Sequence, residues 1–165
     1  MRCIECQGPM SEKVENHRYD ECGLPNITLV GIRISRCRQC GGYEIAIPRI
    51  EQLHRLIARS VIEKATRLTP AEVRYLRTWM DLSGADFARR MGVTAETVSR
   101  WENGAAPIGA QADRVLRLLI AQRSAEVRYP EECLDRIDAS EASSTRVGVR
   151  FKGKHWALAA EKPAA

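Results

Sequence analysis

At 165 residues the chain has room for one ordinary domain or two small ones, and this excludes a large enzyme built around a cleft between lobes. Hydrophobic residues make up 44% and charged residues 28%, the balance of a globular protein, while 5% aromatic content limits the core any short segment can build alone. The net charge of +5 permits nucleic-acid binding without requiring it, and the longest apolar run, Trp156 to Ala160, is too short for a membrane span or secretory signal, so the expected compartment is the cytoplasm.

Residues 1–48 carry two cysteine pairs, Cys3/Cys6 and Cys37/Cys40, a series of turn residues, and two alternating stretches, Ile27 to Ile34 and Tyr43 to Ile47. This pattern predicts a small β-rich module whose apolar content is too thin to hold it without an internal cross-link. Residues 49–66 change to helical spacing, with Ile50, Leu53, Leu56, Ile57 and Val61 among charged residues, and predict a connecting helix. Residues 67–123 carry four helix signals. Thr69-Pro70-Ala71-Glu72 is a capping box with proline at the first helical position, and Ser83-Gly84-Ala85-Asp86 is a similar opening. Thr94 is placed to cap a third helix that Gly104 stops, and a fourth follows Gly109 with Ala112, Val115, Leu116, Leu119 and Ile120 on one face. In the extension, residues 124–165, acids dominate from Glu126 to Glu141. Ala139 to Thr145 reads as a linker, Val147, Val149 and Phe151 alternate as a strand, and Arg146, Arg150, Lys152 and Lys154 follow one another with no acid until Glu161.

Two Cys-x-x-Cys turns supply the four thiolates of a closed tetrahedral site, so Cys3, Cys6, Cys37 and Cys40 are the expected ligands of a structural zinc ion. Gly8 and Gly41-Gly42 lend such turns backbone freedom. A redox pair would sit in a βαβ context that is absent and a catalytic zinc would need an open position; an iron–sulfur cluster also accepts four thiolates, though the familiar ferredoxin spacings do not match, and visible absorption distinguishes it. Cys22, Cys133 and His17 are expected to stay outside the site. Residues 1–66 carry ten basic and eight acidic side chains. Four thiolates around one divalent ion would cancel that excess, so a protein partner, met at a strand edge, suits this module better than DNA.

The segment from Phe87 to Gly104 has the layout of a helix-turn-helix: small Ala88 at the crossing, Gly92 in the turn, Val93, Val98 and Trp101 facing inward. Ala95, Glu96, Thr97 and Arg100 then face out, with residue types suited to base edges. Phosphate contacts are expected at Ser83 and Gly84, helped by Arg89 and Asn103.

The run Val98-Ser99-Arg100-Trp101-Glu102-Asn103-Gly104 resembles the Xre/Cro-type helix-turn-helix family. Preceded by two Cys-x-x-Cys pairs and a connecting helix, it is similar over about residues 1–123 to the YgiT/MqsA family of antitoxins. The resemblance implies an α+β chain, with a small β-rich zinc module followed by an all-α Xre-type domain and a C-terminal extension. It implies a non-enzymatic repressor that binds its operator as double-stranded DNA, forms a homodimer, and holds a messenger-RNA-cleaving toxin through the zinc module. Helix four, with Val115 and Leu119, is the candidate dimer surface. Related domains carry glutamine where Gly84 stands, the MqsA type carries asparagine where Glu96 stands, and a minimal antitoxin lacks the last forty or so residues. The alternative is a stand-alone Xre-type regulator whose zinc module serves dimerisation or another protein contact.

Overall fold

The computed structural model describes residues 2–124 and 128–160. Of the charge pattern expected in the extension, Glu126 and Glu161 lie outside the described residues. A five-stranded sheet is built around β2 (Ile27–Cys37), with β1 (Met10–Arg18) antiparallel along one side. On the other side lie β3 (Tyr43–Ile45), antiparallel to Ile34–Arg36, and β6 (Val147–Lys152), parallel to Ile27–Leu29, with β7 (His155–Leu158) closing an antiparallel hairpin on β6. The extension therefore contributes two strands to the amino-terminal sheet.

The apolar pattern of β2 changes phase midway: Ile27 and Leu29 are buried, then Ile32 and Ile34. A one-residue slip would turn the second half of the strand outward. Gly31, at φ +65°, absorbs the slip opposite an irregularity between Glu15 and His17, and the Asn16 Oδ1 accepts the Gly31 N–H at 3.0 Å.

The connecting helix α1 (Ile50–Glu63) lays Leu53, Ile57, Ala58, Val61 and Ile62 into the core. Four helices follow the expected signals: α2 (Pro70–Trp79), α3 (Gly84–Met91), α4 (Ala95–Asn103) and α5 (Ala110–Arg123). The Thr69 hydroxyl and the Glu72 carboxylate complete the capping box, while Ser83 and Thr94 each accept the N–H three residues on. The core is continuous, from Leu29, Ile57, Val149 and Trp156 to Leu76, Phe87, Trp101 and Leu116.

The segment read as a linker, Ala139 to Thr145, differs from expectation. Residues Asp138–Ala142 form β5, a short strand parallel to β4 (Thr66–Arg67). Its side chains are small and polar because one face stays in water, and what holds it is polar. The Lys64 ammonium donates to the Ser143 carbonyl at 2.7 Å, to the Arg67 carbonyl at 2.8 Å and to Glu72 at 2.5 Å. Beside this cluster, fully buried Arg117 donates to Asp113 and to the carbonyls of Ile62, Lys64 and Thr66, at 2.5 to 3.0 Å. A short α6 (Glu132–Asp135) precedes β5.

His54 bridges the two halves. Tyr75 donates its hydroxyl to the His54 carbonyl at 3.1 Å, which leaves the His54 Nδ1–H to donate back to the Tyr75 oxygen, also at 3.1 Å. Nε2 is then bare and accepts the Tyr19 hydroxyl at 3.1 Å. Tyr19 lies just after β1, His54 in α1 and Tyr75 in α2.

Candidate metal centre and nucleic-acid interface

The four predicted sulfurs converge. Those of Cys3, Cys6, Cys37 and Cys40 all lie within 4.8 Å of one another, with Cys3–Cys40 at 3.5 Å and Cys6–Cys37 at 3.4 Å. Disulfide bonds need about 2.05 Å, whereas four sulfurs tetrahedrally placed at about 2.3 Å from one ion stand roughly 3.8 Å apart. The donor set fits a single metal ion and leaves no ligand position open. Cys22 and His17 are engaged elsewhere, Cys22 donating to the Tyr19 carbonyl and His17 bonding to Glu21.

Both turns follow one backbone path. The Cys3 N–H donates to the Gly8 carbonyl and Gln7 donates to the Cys3 carbonyl; the Cys37 N–H donates to Gly42 and Gly41 donates to Cys37. Gln7 and Gly41 occupy equivalent left-handed positions, φ +61° and +75°. Gly8 therefore serves for space, since a Cβ there would sit 2.6 Å from the Gln39 Oε1, 3.0 Å from the Gln39 Cβ and 3.2 Å from the Cys37 sulfur. Backbone N–H groups of Cys40 and Gln39 directed at the Cys37 sulfur hold its thiol down to about 6, while the crowding of sulfurs pushes the Cys6 thiol up and that of Cys40 up to about 12, so that without an ion the four cannot all be thiolates.

The reader is built on α3 and α4, with Gly92 at φ +68° ending the first and Gly104 at φ +75° ending the second. Phe87, Ala88, Val98 and Trp101 are buried between them and α2. Ala95, Glu96, Arg100 and Asn103 are exposed, and the spacing of the last three places them along one face of α4. Glu96 and Arg100 form no ion pair among the described residues. Thr97 is half-buried, its hydroxyl 2.9 Å from that of Thr94.

The expected phosphate group at the start of α3 is already occupied from within. The Ser83 hydroxyl donates to Asp86 at 2.6 Å, and Arg89 is bonded to the other oxygen of the same carboxylate. The Ser83 hydroxyl foremost, then the Arg89 charge, keep the Asp86 carboxyl below its ordinary range. Gly84 is half-buried with open space at its Cα, and Asn103 accepts from Arg74 at 3.0 Å while donating to Ser99 at 3.2 Å.

A latch that ties α4 to α2 is not marked by any local pattern in the sequence. Glu102 is nearly buried and takes two hydrogen bonds from Arg77, at 2.5 and 3.1 Å, with Arg74 3.5 Å away, and Arg77 also donates to the Leu82 carbonyl. Glu102 lies beside inward Trp101, but its spacing from Arg77 in a different helix carries no periodic signal.

Residues 73–119 match the helix-turn-helix family HTH_3, from within α2 to near the end of α5. No curated protein and no solved structure gives a significant match. Fold and match together place a DNA-binding reader of the Xre type, a regulatory module, beside a sheet whose four cysteines can hold a metal ion. No described helix is long and apolar enough to cross a membrane.

Proposed function

We propose that the chain is a sequence-specific transcriptional repressor acting as the antitoxin of a toxin–antitoxin pair, with a structural zinc ion in the four-cysteine site and a toxin held by the metal-bearing sheet. The observation that carries the DNA-binding part is α4 itself: latched to α2 through Glu102, it offers Glu96 and Arg100 to solvent with no ion pair among the described residues. In this reading Arg100 reads guanine, Glu96 accepts from a cytosine amino group, and Ala95 and Thr97 meet neighbouring bases. Ser83, Gly84, Arg89 and Asn103 position phosphates once Asp86 yields its partners. The zinc ion, when bound, supplies the cross-link that ties the two cysteine turns together. Of the expected dimer residues on α5, Leu119 packs against the core instead, and a homodimer is supported by Val115 together with Leu118, 43% and 39% exposed on the outer face of that helix.

The test is binding to the DNA upstream of the chain's own gene. Arg100→Ala is expected to cost about 1–3 kcal/mol on the specific site and to relax one base position. Equal loss on unrelated duplex would make Arg100 a phosphate contact. For the antitoxin role, the product of the neighbouring gene should co-purify with the chain and lose its ribonuclease activity when bound. The second reading, a stand-alone regulator, is favoured by the hairpin β6–β7, which a minimal antitoxin lacks.

A further inference from the structure

Of the nine arginines in residues 67–123, four are tied to acids, and Arg90 and Arg100 stand exposed with no ion pair among the described residues. Arg74 and Arg77 are bound to Glu102, Arg89 to Asp86, and Arg117 is buried against Asp113. In the sheet, the arginines of β1 and β2 are likewise answered by acids: Arg18 by Asp20, Arg33 by Glu12, Arg36 by Glu15.

The hairpin β6–β7 differs in gathering its cations on one short segment that holds no acid. Arg146, Arg150, Lys152 and Lys154 are all exposed and none is in an ion pair among the described residues. No acidic residue occurs between Glu141 and Glu161. Alternation along β6 puts Arg150 and Lys152 on the solvent side while Val147, Val149 and Phe151 face inward, and the turn Gly153-Lys154 adds a further cation at the tip. The inner side is fixed. Phe151 packs on Trp156, the Trp156 indole N–H donates to the Pro48 carbonyl at 2.7 Å, and its backbone N–H donates to Gln52 at 3.2 Å. A cationic face on a strapped-down hairpin needs no ordering when a polyanion arrives.

We infer that the outer face of the β6–β7 hairpin, carried by Arg150, Lys152 and Lys154, is a second DNA contact that grips the duplex backbone outside the bases read by α4. It rests on the DNA-binding reading above. The contact is sequence-blind, so it adds affinity and salt dependence without altering base preference.

The test compares the full-length protein with the variant Arg150→Gln/Lys152→Gln/Lys154→Gln, on a long duplex from the chain's own promoter and on a scrambled duplex of equal composition. Three lost phosphate contacts should flatten the slope of log affinity against log salt by about 2.7. Between 50 and 200 mM salt the parent should therefore lose roughly 40-fold more affinity than the variant, on both duplexes alike. The variant Arg150→Lys/Lys152→Arg, which keeps the charge, should behave as the parent. An unchanged slope with normal loss of specificity in Arg100→Ala would overturn the hairpin contact alone. Absence of duplex binding by the parent would overturn the DNA reading and this contact with it. An effect confined to single-stranded RNA would also overturn it.

Discussion

Arg117 joins the end of α1 to the reader from a fully buried position. Replacing it with methionine keeps much of the volume but removes the charge that answers Asp113, leaving a fully buried carboxylate with one donor, the Leu68 N–H at 2.8 Å. Stranding one member of a buried ion pair costs about 3–5 kcal/mol. The carbonyls of Ile62, Lys64 and Thr66 lose their donor as well, at about 1–3 kcal/mol for each that finds no other partner, so the first figure is a lower bound. For a chain of this size each kcal/mol lowers Tm by about 2–4 °C, which gives a fall of roughly 6–20 °C. Urea and thermal unfolding followed by tryptophan fluorescence measure it, with Arg59→Ala as the control. That residue's exposed pair with Glu63 at 2.7 Å is worth under about 1 kcal/mol. Adding Asp113→Leu to Arg117→Met should recover part of the loss, because the carboxylate is no longer stranded. A single variant as stable as the Arg59 control would refute the assignment of Arg117 to the junction.

Three further outcomes follow from the geometry. One ion per chain should protect four of the six thiols from a thiol reagent, and Gly8→Ala should surrender the metal to a weaker chelator, because its Cβ would press on Gln39 and on the Cys37 sulfur within the second cysteine turn; protection of only two thiols would contradict a four-sulfur site. Burial lowers His54 from its ordinary value near 6.5, so below that pH the unfolded chain takes up a proton that the folded one resists. Stability should be full above that value and fall as the pH drops toward the depressed folded value, with His54→Gln flattening the decline; an unaltered slope in the variant would show that the histidine is not held neutral.

The reader was legible almost residue by residue, because its boundaries are written in local chemistry: Thr69, Ser83 and Thr94 as caps, Gly92 and Gly104 as stops. The four sulfurs were legible because a closed ligand shell has few sequence solutions. β1 was not, since its sequence, MSEKVENHR, offers no apolar face and its Val14 is 68% exposed; only pairing with β2 makes it a strand. β5 hid for the same reason. Asp113 and Arg117 stand four apart on a helix, the pattern of a solvent-exposed pair, and nothing local shows that α1 and the residues after it will cover them. The pairing of Val147 with Ile27 joins residues 120 positions apart, and no local pattern encodes a contact at that distance.

The same long-range features decide how a partner on the sheet would control the reader. Separating the sheet and α1 together from the reader means stranding Arg117 or the Lys64–Glu72 pair, 4% and 2% exposed, and breaking the His54–Tyr75 contact. Each buried pair costs about 3–5 kcal/mol to break by halves, more than the 1–3 kcal/mol that typically couples two sites. A hinge between sheet and reader is therefore the expensive route. Regulation without it has to act at surfaces: a partner that covers the hairpin face removes cations from the duplex, and one that brings acidic groups beside it repels the backbone. Either way the partner would change affinity and salt dependence while α4 keeps its base preference, and a toxin that altered the preferred operator sequence would require the hinge after all.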